Sequence, residues 1–278
     1  MKNKLWLAVL LFVLVMLGGV YLWISRPAQT LPQPAPAAPA SAAITPPEPA
    51  LPASTVSAEP ATLHPIAPSP AATAMGGADT LQALVELMGQ KAVTSFFQTD
   101  NFARRFVATV DNLGREHAAP ALWPINPTQG RFTVDGPEGA AVIATDNSMR
   151  YTPFVLLVET VDIGRAVDLY VRMYPLLQQA YQDLGYPKRY FNDRFIEVID
   201  KLLSTPDASY PVKLTLTEVR GPIPSERPWV RYQFENSEFE SLSAGQKILL
   251  RVGPVNERRL KAKLVEIRQQ LVAHARAR

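Results

Sequence analysis

The chain has 278 residues, with 28 Lys and Arg against 25 Asp and Glu for a formal net charge of +3, and it contains no cysteine. Without cysteine there is no disulfide, no thiolate metal site and no thiol to carry a lipid. A balance this even leaves charge to matter only through its local distribution.

Residues 5–24 form an unbroken run of twenty uncharged, mostly apolar residues. As a helix such a run is about 30 Å long, enough to cross one bilayer. Lys2 and Lys4 precede it, and residues 27–78 contain no Lys or Arg. The positive-inside bias then keeps the amino terminus in the cytoplasm and sends the rest across the membrane. A cleaved signal peptide is the rival reading, but its apolar core is shorter and ends in a small-x-small site, whereas Trp23, Ile24, Ser25, Arg26 and Pro27 follow here. Residues 1–26 therefore read as an uncleaved transmembrane anchor.

Thirteen of the 26 prolines and sixteen alanines fall in residues 27–78, where no period of 2 or 3.6 is found. This composition reads as a disordered Pro/Ala-rich linker, with a fully extended reach on the order of 160 Å. Residues 79–278 then form one exported domain, large enough to bury about 70 per cent of its unfolded surface.

Within that domain the pattern is mainly helical. Asp79 is placed to cap a helix with Leu84, Val85 and Met88, which Gly89 interrupts before Val93 and Phe96 resume it. Thr99 or Asp100 caps a second unit, with Phe102, Phe106, Val110 and Leu113 on one face and Gly114 at its end. Short runs around Asp135-Gly136-Pro137 predict a small hairpin. Asp162 caps the longest helix, with Val167, Tyr170, Tyr174, Leu177 and Tyr181 at three- and four-residue steps, Pro175 as a kink and Gly185 as the stop. Asn192 or Asp193 starts the next, carrying Phe195, Ile196, Ile199 and Leu202 and ending at Pro206. Val212, Leu214 and Leu216 alternate with polar residues, as do Val230, Tyr232 and Phe234, so two strands are expected to pair. One segment with Phe239, Leu242 and Leu249 and a last helix opened by Pro254 complete the chain. The fold class is thus mainly α, a compact helical domain with a small antiparallel β element.

Several long strings carry a resemblance. They are Arg104-Arg105-Phe106-Val107-Ala108-Thr109-Val110-Asp111-Asn112-Leu113, Tyr174-Pro175-Leu176-Leu177-Gln178-Gln179-Ala180-Tyr181, Leu184-Gly185-Tyr186-Pro187, Tyr190-Phe191-Asn192-Asp193-Arg194 and Ser243-Ala244-Gly245-Gln246-Lys247-Ile248-Leu249-Leu250-Arg251-Val252-Gly253. Together they resemble a proteobacterial set of single-pass proteins known as domain of unknown function 3014, over nearly all of residues 79–271. The resemblance implies a Gram-negative source and an exported one-domain architecture, and it supplies no activity, ligand or catalytic residue. Residues 219–227 depart from the family pattern in a longer link to the second strand.

Chemistry is weighed on the residues themselves. Asp193, Glu197 and Asp200 stand at i, i+4 and i+7, a carboxylate row that suits a hard cation or an acid and base for glycoside cleavage. The alternative is a cap at Asp193, with Glu197 and Asp200 facing water or pairing with Arg194 and Lys201. Asp111 and Asn112 end a helix with Arg104 and Arg105 one to two turns earlier, so a bridge from Arg104 to Asp111 or a bound anion are both readings. An acidic residue at a helix C-terminus is electrostatically unfavourable, which points to a specific partner for Asp111. Tyr170, Tyr174 and Tyr181, with Tyr186, Tyr190 and Asn192 after them, suit either a groove for sugar or peptide or a core with hydroxyls at its edge. Gln246, Lys247 and Arg251 form a third polar group, read as a helix surface rather than a site although Lys247 and Arg251 stay binding candidates, and Arg258, Arg259, Lys261 and Lys263 form either a solvated helix face or a basic face for phosphate or acidic protein. His64, His117 and His274 are too scattered for a metal motif, and no nucleophile elbow or phosphate loop is present.

The expectation is an envelope protein without cofactor or metal: a non-catalytic binding or scaffolding module tethered to the inner membrane by residues 5–24 and displayed in the periplasm. Its partner would be an envelope protein or a cell-wall component, not nucleic acid. The alternatives are a wall-active hydrolase using Asp193, Glu197 or Asp200, and a membrane-complex assembly factor acting through its transmembrane helix.

Overall fold

The computed structural model describes residues 62–66, 75–137, 139–217 and 227–276. The apolar run at residues 5–24 lies outside the described residues, as does most of the Pro/Ala-rich stretch. Among the described residues no helix is long and apolar enough to cross a membrane.

Helix α1 (Gly77–Met88) begins where the Asp79 carboxylate accepts the Gly76 N–H at 2.8 Å, and Gly89 at φ 87° separates it from α2 (Gln90–Phe96). Helix α3 (Phe102–Leu113) starts from Asn101 in the left-handed region, at φ 53°. Neither Thr99 nor Asp100 is its cap, as the sequence suggested. Asparagine tolerates this backbone because its short polar side chain offsets the steric cost.

Helix α4 (Thr152–Thr160), absent from the sequence reading, follows a 3-10 turn at Thr145–Arg150. Its Val155-Leu156-Leu157-Val158 is a contiguous apolar run, and such a run has no helical period to detect. Helix α5 (Ile163–Asp183) starts as expected at Asp162, whose Oδ1 accepts the Arg165 N–H at 2.9 Å. It continues through Pro175 for 21 residues, and Gly185 at φ 110° turns the chain back. Helix α6 (Phe191–Leu203) ends before Pro206. The segment drawn around Phe239 and Leu249 is two pieces, α7 (Ser237–Glu240) and α8 (Ala244–Arg251), because Ser243 starts a new helix with Gln246 in a reciprocal capping box. Helix α9 (Pro254–Arg276) is the longest among the described residues.

Helix α3 packs against α5 and α6, and α9 lies across α4, α5 and α6. The principal core between them holds Val93, Val107, Leu177, Tyr181, Phe191, Ile199 and Leu271. Phe191 is fully buried, stacks parallel to Phe195 at 6.0 Å and meets Phe106 edge-on at 6.1 Å. Burying one such ring contributes about 2–3 kcal/mol.

Two short hairpins make a second, smaller core. Strand β1 (Val134–Asp135) pairs antiparallel with β2 (Val142–Ile143), with Val134 opposite Ile143. Gly136, at φ 93°, has its Cα so close to the Ala140 carbonyl that any Cβ would sit 2.6 Å from that oxygen. Strand β3 (Leu214–Leu216) pairs antiparallel with β4 (Tyr232–Phe234), in the register Leu214 to Phe234. The hairpins join where the Ile143 N–H donates to the Val212 carbonyl at 2.9 Å and the Leu214 N–H to the Ala141 carbonyl at 2.8 Å. Ile143, Val212, Leu214 and Phe234 close over Leu250 of α8, whose neighbour Leu249 belongs to the principal core. Helix α8 thereby ties the two cores together.

Candidate functional site

The first turn of α6 is where polar groups converge. Its N-cap position, Tyr190, offers no side-chain cap, and Asp193 does not cap its own helix as expected. The cap arrives instead from α5. Gln178 Oε1 accepts the Phe191 N–H at 2.8 Å and the Tyr174 hydroxyl at 3.1 Å, while its Nε2 donates to the Arg189 carbonyl at 2.8 Å. With an orphan amide satisfied from outside, the Asp193 carboxylate is released for another task.

That task is to hold residues 62–66, a piece of the Pro/Ala-rich stretch. Asp193 Oδ1 accepts the His64 N–H at 2.7 Å and Oδ2 accepts the Leu63 N–H at 3.1 Å. Beside it Asn192, fully buried, donates from Nδ2 to the His64 carbonyl at 2.8 Å and accepts the Tyr170 hydroxyl on Oδ1 at 2.9 Å. Ile66 is buried in the principal core, whereas Leu63 is 73% exposed. The segment is thus gripped by its main chain and by one aliphatic side chain.

On the opposite flank of the same turn lies an ion-pair cluster. Asp111 is buried at the end of α3, with Arg194 Nε 3.0 Å from its Oδ1 and Arg115 Nη2 2.7 Å from its Oδ2. Arg194 Nη2 also donates to the Asp111 carbonyl at 3.0 Å, and its Nη1 reaches Glu197 at 2.8 Å. Burial works against the Arg194 charge, but Glu197 and Asp111 outweigh it, so its pKa stands above the usual guanidinium value. The hydrogen bond and charge of Asp111 likewise raise Arg115, which also contacts the Tyr186 hydroxyl. Tyr186 stacks on Tyr181 at 4.6 Å. A cavity of about 290 Å³ opens between these features, bordered by Leu63, Lys188, Arg189, Tyr190, Asp193 and Glu197.

Other candidates fall elsewhere. Arg104 is exposed and makes no bridge to Asp111, contrary to that reading. Arg105 ties the segment before α3 to the one after it by donating to the Asp100 carbonyl at 3.0 Å and the Ala121 carbonyl at 2.9 Å. Asn112 is half-buried, and its carbonyl accepts the Arg115 N–H at 3.0 Å. Tyr170, Tyr174 and Tyr181 are core residues, and of that set only Tyr190 faces solvent. Asp200 pairs with Arg268 of α9, while Lys201 donates to the Gly114 carbonyl at 3.0 Å.

Gln246, Lys247 and Arg251 do not form the polar helix surface expected of them. Gln246 and Lys247 are buried, Lys247 Nζ lies 3.1 Å from Glu240 Oε1, and Arg251 is half-buried with its guanidinium 4.7 Å above the Phe234 ring. Desolvation lowers the Arg251 pKa. The basic face of α9 is likewise largely paired: Lys261 with Glu257 at 2.7 Å, Lys263 with Glu266 at 3.1 Å and Arg259 with Glu159 at 3.5 Å. Among the described residues no three His, Asp or Glu side chains group as a metal centre would require.

The sequence did not point to Gln178, Leu63, His64 or Ile66 as parts of this site. An acidic residue at the end of α3 did signal a partner for Asp111, but Arg194 is 83 residues away and only packing brings it there.

No curated protein and no solved structure matches the chain. One family does, over residues 102–268, which include all of α3 through α8, Asp111, Asn192 and Asp193. The chain belongs to the family described as protein of unknown function (DUF3014).

Proposed function

We propose that this protein is a non-catalytic binding or scaffolding module of a Gram-negative envelope. Residues 5–24 tether it to the inner membrane with the amino terminus in the cytoplasm, and the folded part works in the periplasm on a protein or cell-wall partner. The membrane placement rests on the apolar run and the charges around it.

One observation carries the binding reading: each of the three carboxylates singled out on α6 makes a structural contact. Asp193 holds two backbone amides of residues 63 and 64, Glu197 pairs with Arg194, and Asp200 pairs with Arg268. A binding module tolerates charges held in bridges, and Glu197, exposed beside the cavity, is the residue on which the hydrolase reading is tested.

The test is sedimentation of the purified full-length protein, in detergent micelles, with isolated cell-wall sacculi, followed by crosslinking in native membranes. Retention on sacculi, or a discrete crosslinked envelope partner, without released wall fragments is the expected result. Fragments whose release disappears in Glu197→Gln would establish a hydrolase instead.

A further inference from the structure

We propose that Asn192, Asp193 and the slot filled by Ile66 form a peptide-recognition site, occupied in the free protein by its own residues 63–66 and open to an equivalent segment of a partner polypeptide. The inference rests on the reading of this domain as a binding module and names the class of ligand.

The contacts are those of a ligand site. Both Asp193 oxygens and the Asn192 amide read main-chain groups that every peptide possesses, so they fix direction and register without selecting sequence. Selection comes from the buried Ile66 and from Pro65 before it, whose ring fixes φ and so reduces the entropy lost on binding. Asn192 is fully buried, and Tyr170 satisfies only its oxygen. With no peptide in place only water could meet its Nδ2 donor, so a ligand that displaces that water offers a carbonyl at this position.

A partner must also compete with a segment of the same chain, and a competitor of that kind acts at an effective concentration of about the millimolar range. A cavity borders Leu63, which is mostly exposed, so the residues that precede this position in a ligand run beside it. Lys188 and Arg189 border the same space, and neither side chain has an ion-pair partner among the described residues. The ligand is therefore an extended segment with a proline followed by a large aliphatic residue, and an acidic residue upstream of them.

The experiment uses full-length protein in micelles and a fluorescein-labelled peptide with the sequence of residues 59–68, which carries Glu59, Pro65 and Ile66. His64→Pro removes one amide from the internal segment without touching the core, and Ile66→Asp loosens the segment by a second route. Each variant is expected to bind the probe about tenfold more tightly than the unaltered chain, because the internal competitor is weakened. Adding Asp193→Ala should abolish that binding, and a probe with Asp in place of Ile66 should not bind. Equal affinity in altered and unaltered chains would overturn the proposal. So would absence of probe binding in variants with native circular dichroism. Failure of both variants to fold would overturn it too, since a segment needed for folding is no exchangeable ligand. Sacculus retention and envelope crosslinking, run on the same preparations, report separately on the broader binding reading.

Discussion

Asp111 shows how much of this site is decided by single charges. It sits in the last turn of α3, where the helix dipole disfavours a carboxylate, yet it is buried. Two guanidiniums make the position tenable, and one of them, Arg194, is itself largely shielded, with its side chain 15% exposed. Replacing Asp111 by alanine would leave that largely buried cation without its buried counter-charge, with only the exposed Glu197 remaining, so Asp111→Ala should cost about 3 kcal/mol. Glu197→Gln removes only the exposed end of the same cluster and should cost under about 1 kcal/mol. Urea unfolding followed by circular dichroism reads both, and similar midpoint shifts for the two variants would refute the distinction.

At the scale of elements, α3, α6 and α8 meet at Gly245. A Cβ built there would lie 2.5 Å from Leu202 Cδ2 and 3.0 Å from the Leu113 carbonyl oxygen. The leucine can rotate, but the carbonyl belongs to the end of α3 and cannot. Gly245→Ala should therefore push α8 away from α3 and destabilise by about 1–3 kcal/mol, visible as a lower thermal midpoint with helical content retained. An unchanged midpoint would mean that the helices do not approach this closely. The helices behind this contact were legible to different degrees. Asp162 marked the start of α5, Pro254 that of α9 and the Gly136 turn the first hairpin, since each is a local steric or hydrogen-bonding signal. Helix α4 left none, because its apolar run has no period. Asp193 and Asn192 were singled out for helix-local reasons, but their real partners come from residues 63 and 64 and from Tyr170, about 130 and 22 positions away. Lys247 looked like surface because only folding places Glu240 beneath it. Residues 62–66 were hidden by composition, which describes an average and not the one aliphatic residue that finds the core.

Across the whole molecule the two cores share a property that pH exposes. Tyr174 in the larger core and Tyr210 beside the smaller one both have phenols pushed up to about 12, chiefly because burial penalises the anion, with nearby carboxylates adding to it. Tyr170 and Tyr181 are shifted in the same direction. In the unfolded chain these groups ionise near the usual phenol value of about 10. Below that value both states hold the proton and stability does not depend on it. Above it the unfolded chain releases protons that the fold retains, so stability falls as pH rises from about 10 to about 12. Because Leu249 and Leu250 of α8 bind the cores to one another, both should be lost in a single transition. Urea midpoints from circular dichroism and from tyrosinate absorbance should coincide at each pH and decline together above about 10. Separate midpoints would show that the hairpin core unfolds on its own. A midpoint constant through that range would show instead that the phenols reach water in the folded state.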